Sequence, residues 1–248
     1  MKPLKPDDII SCSELVAEEK ANLQKGMNFG IGKKYSVFLK SVRPGAPYQD
    51  KIDTATGCII YEGHDAPKTA GVDPKAVDQP LTTPTGKWTE NGKFFRAAVD
   101  YKSGLLKEAH LIRIYEKIQA GTWCYKGVFE LVDAKYVSDG KRKVFRYELH
   151  PVEKTVFSGR VEVPVTRLIP SEVKREVWKR DGGKCVMCGS NHNLHYDHDI
   201  PFSRGGSSIV AENVRLLCAR HNLSKSDKIM SAAILAHLGY GASLQFYN

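Results

Sequence analysis

Cys185-Val186-Met187-Cys188 and Cys218-Ala219-Arg220-His221 are two ligand pairs with the same two-residue spacing. Thiolates and an imidazole suit zinc, and four of them close a tetrahedral site with no open position. Such a site ties a short segment together and leaves no position for catalysis. His221 is the expected fourth ligand, with His192 and His195 as its rivals. The other cysteines, Cys12, Cys58 and Cys124, are scattered along the chain. Cysteines clustered near histidines in a cytosolic chain read as metal ligands rather than as a disulfide framework.

Between the two pairs lie His195-Tyr196-Asp197-His198-Asp199-Ile200-Pro201, then Gly205-Gly206, then Asn213, then Asn222-Leu223-Ser224-Lys225. With the preceding Arg180-Asp181-Gly182-Gly183-Lys184-Cys185, this order resembles the HNH nuclease family across residues 171–230. Family members carry Asp-His-Ile-x-Pro, a Gly-Gly hairpin, a central Asn, and a final His or Asn after the second zinc pair. Two positions depart from the commonest form: the final His is Asn222, and the last zinc Cys is His221. The resemblance implies a ββα-metal fold, hydrolysis of DNA to 5′-phosphate and 3′-hydroxyl ends, and a catalytic magnesium or manganese ion.

Phosphodiester hydrolysis explains these residue types. It needs an activated water in line with the leaving oxygen, and positive charge where the phosphorane gains negative charge. A neutral imidazole near pH 7 can take the water's proton, which makes His198 the expected general base. A hard divalent cation prefers oxygen ligands, which Asp197 and the Asn222 amide would supply. Asn213 is expected to hold the hairpin by side-chain to backbone bonds, and Lys225 to touch a phosphate. Neighbours on a strand point to opposite faces, so the strand must end or distort at Asp197 and His198 for both to act together.

A helix is expected over Glu172–Arg180, capped by Ser171 and stopped by Asp181-Gly182-Gly183. Pro170-Ser171 marks a boundary, giving residues 1–168 as one domain and 169–248 as the nuclease domain. Upstream, Ser11–Lys25 reads as a helix, Phe94–Tyr101 as a short helix, and Gly63–Gly86 as a long proline-rich loop. Strands are expected over Tyr35–Val42, Cys58–Tyr61, His110–Glu116, Trp123–Val132 and Lys143–Leu149, and around Val161, Val163 and Val165. Phe94, Phe95, Trp123, Phe129 and Phe145 are expected in the core. Lys33, Lys34, Arg43, Lys141, Arg142 and Lys143 read mostly as solvated faces, some meeting phosphates.

A nuclease centre touches mainly phosphates, which carry no sequence information, so selectivity must come from the first domain. Four segments there are Ile59-Ile60-Tyr61-Glu62-Gly63, Asp78-Gln79-Pro80-Leu81, Leu111–Tyr115 followed by Trp123–Val128, and Phe145–Leu149. In this order they resemble the SRA (YDG) domain, which flips a modified cytosine out of DNA. The resemblance implies a β-rich, barrel-like sheet and a pocket in which Tyr48 and Tyr61 stack on the base. It also implies an acid for the cytosine amino group. Lys51 falls at the nominal acidic position, so Asp50 is the candidate and Asp53 the alternative.

Basic residues exceed acidic ones by 37 to 28, a formal charge of +9, which favours a polyanionic partner. No apolar run approaches the ~20 residues that span a bilayer, and the first ten residues lack a signal-peptide core, so a cytoplasmic location is expected. The fold class is α+β, a β-rich SRA-like barrel domain followed by a zinc-containing ββα-metal domain. The expected function is a modification-dependent restriction endonuclease acting on double-stranded DNA with 5-methylcytosine or 5-hydroxymethylcytosine. A homodimer is expected, since one HNH centre cuts one strand. The alternatives are an HNH nuclease that reads unmodified sequence or DNA structure, and a non-catalytic reader of modified DNA.

Overall fold

The computed structural model describes residues 4–23, 25–31, 35–41, 48, 50–53, 56–68, 71–152 and 168–229. In chain order the elements are β1 (Ile9–Ser11), α1 (Cys12–Glu19), β2 (Met27–Asn28), β3 (Tyr35–Lys40), β4 (Lys51–Ile52), β5 (Ile59–Glu62) and α2 (Glu90–Lys102). There follow β6 (His110–Gln119), β7 (Thr122–Ser138), β8 (Lys143–Pro151), α3 (Ser171–Arg180), β9 (Leu194–His198), β10 (Val214–Cys218) and α4 (Ala219–Lys225). Among the described residues no helix is long and apolar enough to cross a membrane.

The first seven strands after β1 make one sheet in the order β2-β3-β6-β7-β8-β5-β4. Only β3 and β6 run parallel. Its end strands, β2 and β4, are two residues long and do not pair with each other among the described residues. Among the described residues the barrel-like sheet therefore does not close there. Strands this short expose few unpaired backbone groups.

Alternation explains the sheet's two faces. Phe145, Tyr147 and Leu149 of β8 are fully buried on one side, as the sequence pattern predicts. They pack with Phe38, Ile112, Ile114, Phe129 and Leu131 beneath α2, which contributes Phe94, Ala97 and Ala98. Thr89 caps α2 by accepting the Gly92 N–H at 3.1 Å, so this helix is longer than the Phe94–Tyr101 segment expected. On the opposite face Val37, Leu39, Tyr115 and Tyr125 pack with Ile10 and Leu15 of the N-terminal elements. Helix α1 is shorter than expected because Lys20 turns into the left-handed region and ends it.

The loop after β5 is anchored rather than free. Gln79, fully buried, donates to Gly63 O at 2.7 Å and accepts from Phe145 N at 2.8 Å. Arg142 corrects the expectation of a solvated cation: it is 4% exposed, pairs with Asp65 and donates to Pro74 O and Val77 O. Lys33, Lys34, Arg43, Val42 and the strand expected around Val161–Val165 lie outside the described residues.

The C-terminal region has its own core of Ile169, Val173, Val177, Leu194, Tyr196, Val214, Leu216 and Leu217. Strands β9 and β10 pair antiparallel, with His198 opposite Val214 and Asp197 opposite Arg215. Helix α3 begins at Ser171, but Pro170 holds the cap position and Ser171 is buried in the first turn, so the expected serine cap is absent.

The two regions meet across the N-terminal segment. Strand β1 pairs with the start of β7, and Asp8 then bridges His195 of β9. Beneath this seam Lys174, with no exposed surface, reaches the Asp7 carboxylate and lies 3.0 Å from Cys124 Sγ. Lys126 Nζ lies 3.3 Å from Glu116 Oε2 and donates to Ile169 O at 3.0 Å. Burial alone would raise the Glu116 pKa, yet Lys126, Lys174 and Lys40 hold it down at about 2. Burial pushes the Cys124 thiol up to about 11, which keeps it protonated at neutral pH.

Candidate functional site

The two ligand pairs of the C-terminal region converge. The Sγ atoms of Cys185, Cys188 and Cys218 and a ring nitrogen of His221 all lie within 4.8 Å of one another. His221 Nδ1 is 3.3 Å from Cys185 Sγ and 3.4 Å from Cys218 Sγ, and Cys188 and Cys218 Sγ are 3.9 Å apart. Zinc–ligand bonds of about 2.0–2.3 Å at tetrahedral angles give edges of about 3.5–3.8 Å, so this donor set fits zinc. Of the rival histidines, His195 is bonded to Asp8 and His192 lies outside the cluster. Helix α4 carries His221, so the cluster ties α4 to the Cys185–Cys188 knuckle.

The residues expected to do chemistry sit one layer away. His198 is the last residue of β9, and Asp197, His198 and Asn222 line one groove with Tyr196, His195 and Ala219. Asp197 and His198 do lie on alternate sides of the strand, intermediate and buried in turn. Because β9 ends at His198, both still reach the groove. His198 is 7% exposed, and its Nε2 is 2.9 Å from the Ser208 hydroxyl, which fixes the ring's orientation.

Asn213 braces the loop that follows. Its Oδ1 accepts from Ile200 N at 2.8 Å, and its Nδ2 donates to Ser207 O at 3.0 Å and Ile200 O at 3.2 Å. Asp199 N donates to Asn213 O at 2.8 Å. Gly206 must be glycine, because a Cβ there would stand 1.8 Å from Ile200 O. Below the loop Arg215 pairs with Asp199, and Arg180 donates to Ala211 O and Val214 O while pairing with Asp181. Burial raises the Asp199 pKa, opposed chiefly by Arg215. Ser208, Asp199 and Arg215 were not picked out from sequence. Their only signal there is position: Asp199 follows Asp197-His198, Ser208 comes two after Gly206 and Arg215 two after Asn213.

Lys225, expected to touch a phosphate, pairs in this structure with Asp197. Its Nζ lies 2.7 Å from Asp197 Oδ2, with the two side chains 8% and 20% exposed.

The groove has an unexpected second wall. Leu4, Lys5, Asp7, Asp8, Glu14 and Glu18 of the N-terminal segment face the nuclease residues across it. His195 Nδ1 is 2.7 Å from Asp8 Oδ1, and Lys5 N donates to Asp8 Oδ2 at 2.8 Å.

In the first region the expected base-pocket residues come together only in part. Asp50 accepts from Glu62 N at 3.0 Å, and burial raises its pKa to about 6 against that bond and the Lys40 charge. Tyr61 is 4% exposed and packs 4.3 Å from Phe38, within the core. Tyr48 instead faces His64, ring centroids 6.0 Å apart at 33°, and Lys75 Nζ lies 4.4 Å from the Tyr48 centroid. The alternative acid, Asp53, bonds Thr56 Oγ1 at 2.8 Å in the turn after β4. His64, missed from sequence, is held through its backbone by both ends of the Asn91 amide. Burial keeps its imidazole below the ordinary pKa, so it is neutral at pH 7.

The family model described as HNH endonuclease matches residues 185–228. No curated protein matches the chain. Among solved structures, the chain is similar to the SUVH5 SRA–hemi-methylated CG DNA complex at 17% identity and TM-score 0.41, covering 66% of this chain and 95% of that one. The SUVH5 SRA bound to fully hydroxymethylated CG DNA matches at 16% identity and TM-score 0.40, over 62% and 89% of the two chains. The Type IV phosphorothioation-dependent restriction endonuclease ScoMcrA matches at 16% identity and TM-score 0.38, covering 97% of this chain and 63% of its own. The Cys3His cluster, Asp197, His198, Asn213 and Asn222 all fall within the segment that matches the HNH endonuclease family model.

Proposed function

We propose that this chain is a modification-dependent DNA endonuclease, with residues 1–168 reading a modified cytosine and residues 169–248 cutting the phosphodiester. The observation that carries this reading is the convergence of Asp197, His198 and Asn222 on one groove beside a zinc-type cluster, within the HNH-matched segment. His198, oriented by Ser208, takes the proton from the attacking water. Asn213 holds the loop that carries Ser208. Asp197 and Asn222 would hold magnesium or manganese, which when bound supplies positive charge for the phosphate oxygens. Cysteines 185, 188 and 218 with His221 would hold zinc structurally. Two protein oxygens suit a hard cation that keeps several waters.

On the reader side, a flipped base costs a few kcal/mol of unstacking, which a pocket of planes and edge contacts must return. Tyr48 and Asp50 would supply a plane and an acceptor for the cytosine amino group. Tyr61 would close the floor of the pocket, and His64, beside Tyr48, would line its wall. A paired cut needs two centres, so two copies of the chain would act on one site.

The test is a plasmid prepared unmodified and cytosine-methylated, incubated with magnesium or manganese. Cutting of the methylated form alone supports both halves of the reading. His198→Ala should lower the rate by about 100-fold or more while leaving DNA binding intact. A second reading, a nuclease that reads unmodified DNA, draws on Tyr61, which packs on Phe38 in the core. Equal cutting of both plasmids would select it.

A further inference from the structure

Lys225 and Asp197 form an ion pair in an unusual setting. Their charged atoms are 2.7 Å apart, yet Asp197 Oδ2 and Lys225 Nζ are both shielded from solvent and meet no hydrogen-bond geometry among the described residues. The ion pair is the tie between the two, and its Asp197 end lines the groove. An ammonium has three protons to donate, and leaving them unused in a buried place is costly. The carboxylate is the one that the nuclease reading gives to the divalent cation, and this inference rests on that reading.

The surroundings anchor the helix that carries the lysine. Helix α4 is anchored by His221 in the zinc cluster, and it carries Asn222 and Lys225 three residues apart on one face. A neighbouring acid, Asp199, has Arg215 as its ion-pair partner. The Lys225 stem is four flexible carbons, able to move its charge several ångströms at small cost.

We infer that Lys225 holds the place of the catalytic cation on Asp197 and gives it up when metal and DNA arrive together. A divalent ion on Asp197 would stand close to the ammonium, and two like charges repel strongly where water is excluded. The lysine must then swing away, and the acceptor it needs is a phosphate oxygen of the substrate strand. Metal and DNA therefore strengthen each other's binding through this one side chain, as linkage requires. In the free protein the same pair weakens metal binding, so the centre stays largely empty until DNA is in the groove.

The experiment is a manganese titration followed by electron paramagnetic resonance of the free ion. It uses zinc-loaded full-length protein carrying His198→Ala to prevent turnover, with and without a short duplex containing 5-methylcytosine. DNA should tighten manganese binding about tenfold or more. Lys225→Met should tighten manganese binding about tenfold without DNA, and should remove most of the gain that DNA brings. Manganese binding that Lys225→Met weakens or leaves unchanged, while Asp197→Asn abolishes it, overturns the lysine's role and leaves the nuclease reading standing. Absence of any manganese binding that depends on Asp197 overturns the metal reading and this inference with it.

Discussion

His195 Nδ1 lies 2.7 Å from the Asp8 carboxylate although 187 positions separate the two residues. The contact places the N-terminal segment against β9, beside Asp197 and His198. Beneath it the Asp7–Lys174 pair spans 167 positions and has almost no exposed surface.

That buried pair sets the first prediction. Lys174→Met leaves the Asp7 carboxylate buried and unpaired, and should cost about 3–5 kcal/mol in denaturant unfolding. Adding Asp7→Asn should recover most of the loss. A single-variant effect below about 1 kcal/mol would mean that water reaches the pair.

Zinc is the second. Metal analysis should find zinc bound in the purified protein, and Cys218→Ser should lose both the zinc and nuclease activity. Because thiols must lose protons to bind, zinc should be released as pH falls. A Cys218→Ser protein with full zinc content would remove Cys218 from the ligand set.

The loop after β9 gives the third. Gly206→Ala forces a Cβ to within 1.8 Å of Ile200 O, so the loop must shift. Asn213→Ala removes the three side-chain bonds that brace it. Either change should displace His198 and Ser208 and lower cleavage by about 100-fold at unchanged zinc content. Retained cleavage would show that the loop does not position His198.

Asp50 gives the fourth, with a definite sign. Its folded pKa is raised to about 6 from 3.8, so the folded state holds a proton that the unfolded chain has released. Between those values stability falls as pH rises, and above about 6 the penalty is complete at about 3 kcal/mol. Asp50→Asn should therefore be more stable than the parent at pH 8 and close to it at pH 4. In the parent, preference for modified DNA should fade below pH 6 as the ionised acceptor is lost. A pH-independent stability difference would mean that Asp50 is not desolvated.

The C-terminal candidate site was more legible in the sequence than the proposed base pocket. Cys185, Cys188, Cys218, His221, Asp197, His198, Asn213 and Asn222 are close in the chain, so spacing alone brings them near one another. The strands from His110 to Leu149 were legible because one face of each is buried and alternation records it. Arg142 was misread because a lone arginine looks the same in sequence whether it is solvated or locked by Asp65 and two carbonyls. His64, Asp8 and Ser208 were missed for a related reason. Each acquires its role from a partner, Tyr48, His195 or His198, that pattern does not place beside it. Lys225 was recognised as a residue of interest, but its partner Asp197 depends on the fold of α4 against β9.

The segment from Leu4 to Ser11 also governs the order in which this chain can be assembled. Chains are made N-terminal end first, and domains tend to fold as they emerge. Strand β1 can add to β7 as soon as the sheet exists, whereas Lys174 and His195 are made later. A fragment that stops before them has the first sheet and lacks the Cys3His region. A proteolytic fragment that lacks the segment leaves Lys174 without its counter-charge and His195 without its carboxylate, and exposes Ile169 and Cys124 at the seam. Neither piece keeps the seam that joins the two regions.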